Sequence, residues 1–280
     1  MQQLGSLAPL LDKYNTFLVD LWGVIHDGWS LYPGVVKTLQ KLQSAEKQVI
    51  FLSNSPRRAE FVMGGLDRFG ISRSLYQTCV TSGEVTFSIL QDAQTDETIK
   101  YYYIGTDNPA ERGLLLGLNY VETQDINQAQ FVFATGFGQD GDVLYTATPQ
   151  LDKCLAAGIP MYCPNPDRVI VRQTGEKRLC AGVMGDYYRQ QGGEVIFVGK
   201  PYANVYNRCF DIIGNAVDKS KIAMIGDNLD TDVQGANKAG ITSIFVAGGI
   251  LKQQIAEKGI EAIIPSKVKT PDYVVPGLLV

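Results

Sequence analysis

The chain has 280 residues, 45% of them hydrophobic, with a net charge of −4 and a sequence pI of about 5.1. That is enough apolar material for a large core and more than one typical domain, and the acidic balance argues against nucleic acid or an anionic membrane as a partner. No run approaches the ~18 apolar residues of a membrane span. The N-terminal MQQLGSLAPLLDKYNTF lacks the positive start of a signal peptide. Five scattered cysteines (Cys79, Cys154, Cys163, Cys180, Cys209) form no CxxC pair and no zinc spacing, so a cytoplasmic protein with reduced thiols is expected.

In chain order, TFLVDL (16–21) reads as a strand, and Pro33 opens a helical pattern to about residue 45 with Val35, Val36, Leu39 and Leu42 on one face. QVIFLS (48–53) is a second strand, and another helix follows the Pro56-Arg57-Arg58 turn. Residues 79–183 carry their own strand candidates, KYYYIG (100–105), QFVFAT (130–135), PMYC (160–163) and RVIV (168–171), separated by helical runs near 83–92, 108–116 and 143–156. EVIFVG (194–199), KIAMIG (221–226) and ITSIFV (241–246) are three further buried strands, and the terminal PDYVVPGLLV reads as an edge strand. Strands alternating with amphipathic runs predict βαβ units and a parallel sheet. The expected organisation is an α/β core, 1–78 and 184–280, whose sheet takes five strands from both ends of the chain, with a separate α/β domain, 79–183, inserted into it. Tyr101, Tyr102, Tyr103, Phe131 and Phe133 of the insert read as strand core.

Four of these strands end in polar chemistry. Asp20 closes the first, and ligands of open parallel sheets bind at the carboxyl ends of strands; an aspartate there alone reads equally as a cap or a turn. The second ends in Ser53-Asn54-Ser55, which offers hydroxyl and N–H donors to an anion. Lys200 follows EVIFVG and supplies a point charge for a phosphoryl oxygen and for Asp20. Asp227-Asn228-Leu229-Asp230-Thr231-Asp232 follows KIAMIG, and carboxylates so close repel unless a cation collects them; oxygen ligands of this kind suit Mg2+.

These segments, in this order, resemble the four motifs of the haloacid dehalogenase (HAD) superfamily. Asp20 matches the nucleophile, Ser53 the second motif, Lys200 the third, and Gly226-Asp227 with Asp232 the fourth. SNSPRR, Asn165-Pro166-Asp167, Ala181-Gly182 and Gly199-Lys200-Pro201 resemble the class IIA members, closest to a subfamily with a D-x-W-G-V-x-H-D-G first motif. The resemblance implies a Rossmann-like core with an inserted α/β (C2-type) cap. It also implies a Mg2+-dependent phosphohydrolase acting through an aspartyl-phosphate on a small phosphorylated metabolite. Asp20, the carbonyl of Trp22 and Asp227 would hold Mg2+, with Asp232 in support. Ser53, Asn54 and Lys200 would bind the phosphoryl group, Asn165 and Asp167 would face the substrate from the cap, and the cap would close over the site. Such a cap is also a surface through which a homodimer can form.

One departure stands out. HAD phosphatases carry a second aspartate two residues after the nucleophile, as acid and base; here that position is Trp22, whose indole donates one N–H and accepts nothing. The single histidine, His26, or its neighbour Asp27 is a candidate replacement. The alternatives are a substrate with a good leaving group, or a phosphate-ligand binding protein in which hydrolysis has faded. A metal-independent dehalogenase also lacks the second aspartate but needs no acidic fourth motif.

Overall fold

A computed structural model describes residues 1–138, 143–171, 174–214, 218–264 and 267–280. Seven parallel strands form one sheet, in the order Gln2–Gln3, Tyr273–Val275, Thr242–Val246, Ile222–Gly226, Thr16–Val19, Gln48–Ser53, Thr78–Thr81. Both faces are covered, as an all-parallel sheet requires. The period-2 alternation shows how. Phe17, Val19, Val49, Phe51, Ala223 and Ile225 pack on one side with Val35, Leu39 and Leu42 of helix Val35–Ser44. Leu18, Ile50, Leu52, Ile222 and Met224 pack on the other with Val205, Tyr206 and Cys209 of helix Ala203–Ile213. The terminal strand is not at the edge, because Gln2–Gln3 pairs outside it.

A second parallel sheet has five strands in the order Val195–Phe197, Met161–Cys163, Phe131–Ala134, Ile99–Ile104, Tyr120–Glu122. Helices Leu144–Ala156 and Ala181–Gln190 cover it through Ala147, Leu151, Cys154, Met184 and Tyr188. Val169–Val171 and Lys177–Leu179 form a separate antiparallel pair; RVIV thus lies beside the second sheet rather than in it. Chain order reverses between the neighbours Ile99–Ile104 and Phe131–Ala134, which opens a crevice at their carboxyl ends. Among the described residues no helix is long and apolar enough to cross a membrane.

The expected sheet assignment fails at one strand. Val195–Phe197 pairs with Met161–Cys163, not with the first sheet, so only four of the five expected core strands lie together. A short apolar run satisfies a buried position in either sheet, and the run does not say which; helix Ala181–Gln190 decides, because its apolar face already packs on the second sheet. The expected boundary at 184 falls inside that helix, and the strand Thr78–Thr81, which straddles the expected boundary at 79, belongs whole to the first sheet.

Candidate active site

Thr16–Val19 is an interior strand of the first sheet, between Ile222–Gly226 and Gln48–Ser53, and Asp20 continues its ladder, donating its N–H to Ile225 O at 2.9 Å. The carboxylate therefore stands at the carboxyl edge, only 7% exposed. Lys200 reaches it from the segment after Val195–Phe197: Nζ donates to Asp20 Oδ1 at 2.6 Å. Nζ also lies 2.6 Å from Asp232 Oδ1, but as an ion pair without hydrogen-bond alignment, so this buried oxygen has no aligned donor. The lysine backbone is clamped by Asn54, whose Oδ1 accepts from Lys200 N (2.7 Å) and whose Nδ2 donates to Lys200 O (3.0 Å) and to Asp167 Oδ1 (2.9 Å). Ser53 ends its strand with Oγ accepting from Ser55 N at 3.2 Å.

The acidic loop folds into a widened helical turn, Leu229–Val233, a shape frequent at functional sites. Asp232 Oδ2 accepts from Asn228 N (3.1 Å), and Asp227 Oδ2 accepts from Ile250 N (2.7 Å). One carboxylate oxygen from each of Asp20, Asp227 and Asp232 lies within 4.8 Å of the others, all buried. Glycines make the room: a Cβ at Gly23, whose φ is +89°, would sit 1.9 Å from Asp227 Oδ2, one at Gly249 2.2 Å from the same atom, and one at Gly226 2.1 Å from Asp232 Cγ. Three convergent buried carboxylates, one oxygen without an aligned donor and a cradle of glycines fit a small hard cation.

The electrostatics agree. Burial pushes the Asp20 carboxyl up to about 8 against the pull of Lys200. Burial, and then Asp20, hold the Asp227 carboxyl far above the ordinary carboxylate range. Burial works against the Lys200 ammonium, yet Asp20, Asp232 and Asp167 outweigh it and raise its value.

Trp22, Asn54 and Asp167 line the crevice together with Asp20, Ser53 and Lys200. It opens into a chamber of about 560 Å3 lined by Trp22, Arg57, Thr106, Thr135, Asn165 and Asp167, within the size range of small-molecule sites. Thr106, Thr135 and Asn165 follow three strands of the second sheet, so both sheets turn their carboxyl ends to one space. Bonds that join the sides include Asn54 to Asp167, Arg57 to Glu111 (2.6 Å), and Trp22 Nε1 to Val171 O (2.9 Å).

The structure brings Asp20, Ser53, Asn54, Lys200, Asp167, Asp227, Asp232 and Trp22 to this region, and Asn165 to the chamber with a buried Oδ1 that has no hydrogen-bond partner among the described residues. His26 and Asp27 are engaged elsewhere. His26 stacks on Phe69 at 5.1 Å, its Nδ1 accepts from Gly28 N at 3.0 Å, and burial pushes its value down to about 4. Asp27 is 3% exposed and its Oδ1 accepts from Trp29 N and Ser30 N at 3.0 and 2.9 Å, closing the turn. Neither lines the crevice around Asp20. The contributions of Ile250 N–H and Gly249 were not anticipated; the Gly248-Gly249 pair after a buried strand was the available signal.

Comparison with known proteins supplies the family. A model described as haloacid dehalogenase-like hydrolase matches residues 17–119, and a HAD-hydrolase-like model matches 197–279. A crystal structure of a haloacid dehalogenase-like hydrolase from Brucella suis superposes with a TM-score of 0.85 at 27% identity, over 99% of this chain and 100% of that one. The 4-nitrophenylphosphatase of Schizosaccharomyces pombe is 27% identical over 96% of this chain and 93% of its own. The chloroplastic phosphoglycolate phosphatase 1A of Arabidopsis thaliana is 25% identical over 94% and 77%. With family models matching at both ends and one fold throughout, this chain belongs to the haloacid dehalogenase-like hydrolases.

Proposed function

We propose that this chain is a Mg2+-dependent phosphatase of a small phosphorylated metabolite, of the class IIA type, working through an aspartyl-phosphate on Asp20. The observation that carries the reading is the convergence of Asp20, Asp227 and Asp232 within 4.8 Å beside Lys200. A dehalogenase would leave that many buried carboxylates without a use, whereas phosphoryl transfer needs a cation to neutralise the group transferred. The phosphatase names of two relatives that match nearly all of this chain support the same reaction class, and five free, buried cysteines suit a reducing cytoplasm.

Asp20, Asp227 and Asp232 would hold Mg2+ together with the carbonyl of residue 22, and Mg2+ when bound supplies charge neutralisation to the phosphoryl oxygens. The chain's own residues do the rest. Asp20 presents a buried carboxylate oxygen for in-line attack. Lys200, fixed at its backbone by Asn54, and the Ser53 hydroxyl hold phosphoryl oxygens. The body carrying the second sheet, Ile99 to Phe197, acts as the cap, with Asn165 and Asp167 facing the leaving group. The test is hydrolysis of p-nitrophenyl phosphate and acetyl phosphate with and without Mg2+, with Asp20→Asn as control. Turnover that needs both Mg2+ and Asp20 is expected. Folded protein that binds phosphorylated metabolites but turns none of them over would instead make it a binding protein.

A further inference from the structure

Cleaving a phosphomonoester with a basic leaving group needs a proton for the departing oxygen, and the second half-reaction needs a base for water. The indole at Trp22 supplies neither, and its N–H is already donated to Val171 O. His26 and Asp27 are committed to a stack and a turn outside the crevice. Beyond the three clustered aspartates, one carboxyl lines the crevice: Asp167. It is also a wall of the adjoining chamber, so it stands where the phosphoryl site meets the space for the leaving group. Its Oδ1 accepts from Asn54 Nδ2 at 2.9 Å, while Oδ2 makes no hydrogen bond among the described residues and is free to carry a proton.

We infer that Asp167 is the acid–base catalyst of this chain, taking from the cap the role that Trp22 has vacated. The inference rests on the reading of Asp20 as nucleophile. In the first half-reaction an Asp20 oxygen bonds to phosphorus, the bond from phosphorus to the leaving oxygen breaks, and that oxygen takes the Asp167 proton to leave as an alcohol. In the second, the Asp167 carboxylate takes a proton from water as the water oxygen bonds to phosphorus. The bond from phosphorus to Asp20 breaks, inorganic phosphate departs, and Asp167 is again protonated. The charged groups facing Asp167 are Lys200, Asp20, Asp232 and Arg168, and burial leads a balance that raises its carboxyl above the ordinary range, the direction an acid working near neutral pH requires. Delivery from the cap also makes protonation conditional on closure.

The discriminating experiment uses a series of substituted phenyl phosphates, from p-nitrophenyl to phenyl and p-methoxyphenyl, with Mg2+, on wild type, Asp167→Asn, Asp167→Glu and Asp20→Asn. Asparagine keeps an oxygen for Asn54 and removes only the proton. Asp167→Asn should lose about 10²-fold or more on the basic leaving groups and far less on p-nitrophenyl. It should also show a burst of p-nitrophenol as the phosphoenzyme accumulates, while Asp167→Glu keeps a shallow leaving-group dependence. An equal loss across the series, or none, in Asp167→Asn overturns the inference and leaves the residue as a clamp on Asn54. Wild type with no turnover dependent on Asp20 would sink the phosphatase reading itself, and the inference with it.

Discussion

Asp20, Asp167 and Asp227 line one crevice with the ammonium of Lys200, 2% exposed, and Asp232 stands against Lys200 beside them, so stability without a cation should depend on pH. Burial raises the Asp20 carboxyl from 3.8 to about 8. A folded value above the unfolded one means that the folded state binds the extra proton: the stability is full below pH 3.8 and is lost as pH rises through about 8. Each such proton gives a slope of about 1.4 kcal/mol per pH unit. His26 has the opposite sign. Burial lowers it from 6.5 to about 4, so its contribution is present above 6.5 and lost as pH falls towards 4, offsetting the aspartate slope there. Between pH 6.5 and 8 the aspartate term stands clear, and one proton over that window is about 2 kcal/mol, or about 4–8 °C in Tm for a chain of this size. Thermal unfolding in a chelator should therefore show Tm falling from pH 6.5 to 8. Mg2+ at a hundredfold excess over its Kd should add about 2.7 kcal/mol and flatten the slope. Asp20→Asn should unfold later than wild type at pH 8 without metal, with a weaker slope, because it also relieves Asp227. A chelated wild type whose Tm is flat or rising over this window, or an Asp20→Asn slope equal to that of wild type, would refute the reasoning.

Two substitutions test the parts around the cluster. Trp22→Phe keeps a ring over Gly28 but removes the 2.9 Å bond to Val171 O that ties the nucleophile loop to the cap side. A net hydrogen bond of about 1 kcal/mol predicts KM raised about fivefold with a smaller change in kcat, and steady-state kinetics with kcat collapsed at unchanged KM would contradict a closing role. Gly23→Ala puts a methyl where Asp227 Oδ2 now lies, at a positive φ that alanine disfavours. Calorimetric Mg2+ titration should show affinity lost, and wild-type affinity would show that Asp227 does not need that cradle.

Three of the candidate site residues were legible because each ends an apolar run: Asp20 after TFLV, Ser53 after VIFL and Asp227 after IAMIG. A polar side chain at that point of a parallel strand stands at the carboxyl-end edge where ligands bind, and it was several such ends together that set them apart from caps and turns. Four strands were not legible: Gln2–Gln3 is wholly polar, Thr78–Thr81 is half threonine, Tyr120–Glu122 is short and ends in a charge, and Lys177–Leu179 carries two charges, so none shows an apolar run. The placement of Val195–Phe197 in the second sheet shows in its pairing with Met161–Cys163, a strand well separated from it along the chain, which no local window reveals. Asp167 was singled out in the sequence only through its Asn165-Pro166-Asp167 resemblance. That it borders both crevice and chamber, while Trp22 is turned to Val171, depends on the two sheets meeting at their carboxyl ends.

The central claim is that Asp20 carries the phosphoryl group, and the most direct measurement is to trap it. The protein is mixed with p-nitrophenyl phosphate and Mg2+ and quenched in acid within the first turnovers, and its peptides are weighed by mass spectrometry. The account predicts one phosphoryl group on the peptide containing Asp20, gained only with Mg2+ and accumulating further in Asp167→Asn. Turnover with no adduct on that peptide, or turnover that survives Asp20→Asn, would contradict it.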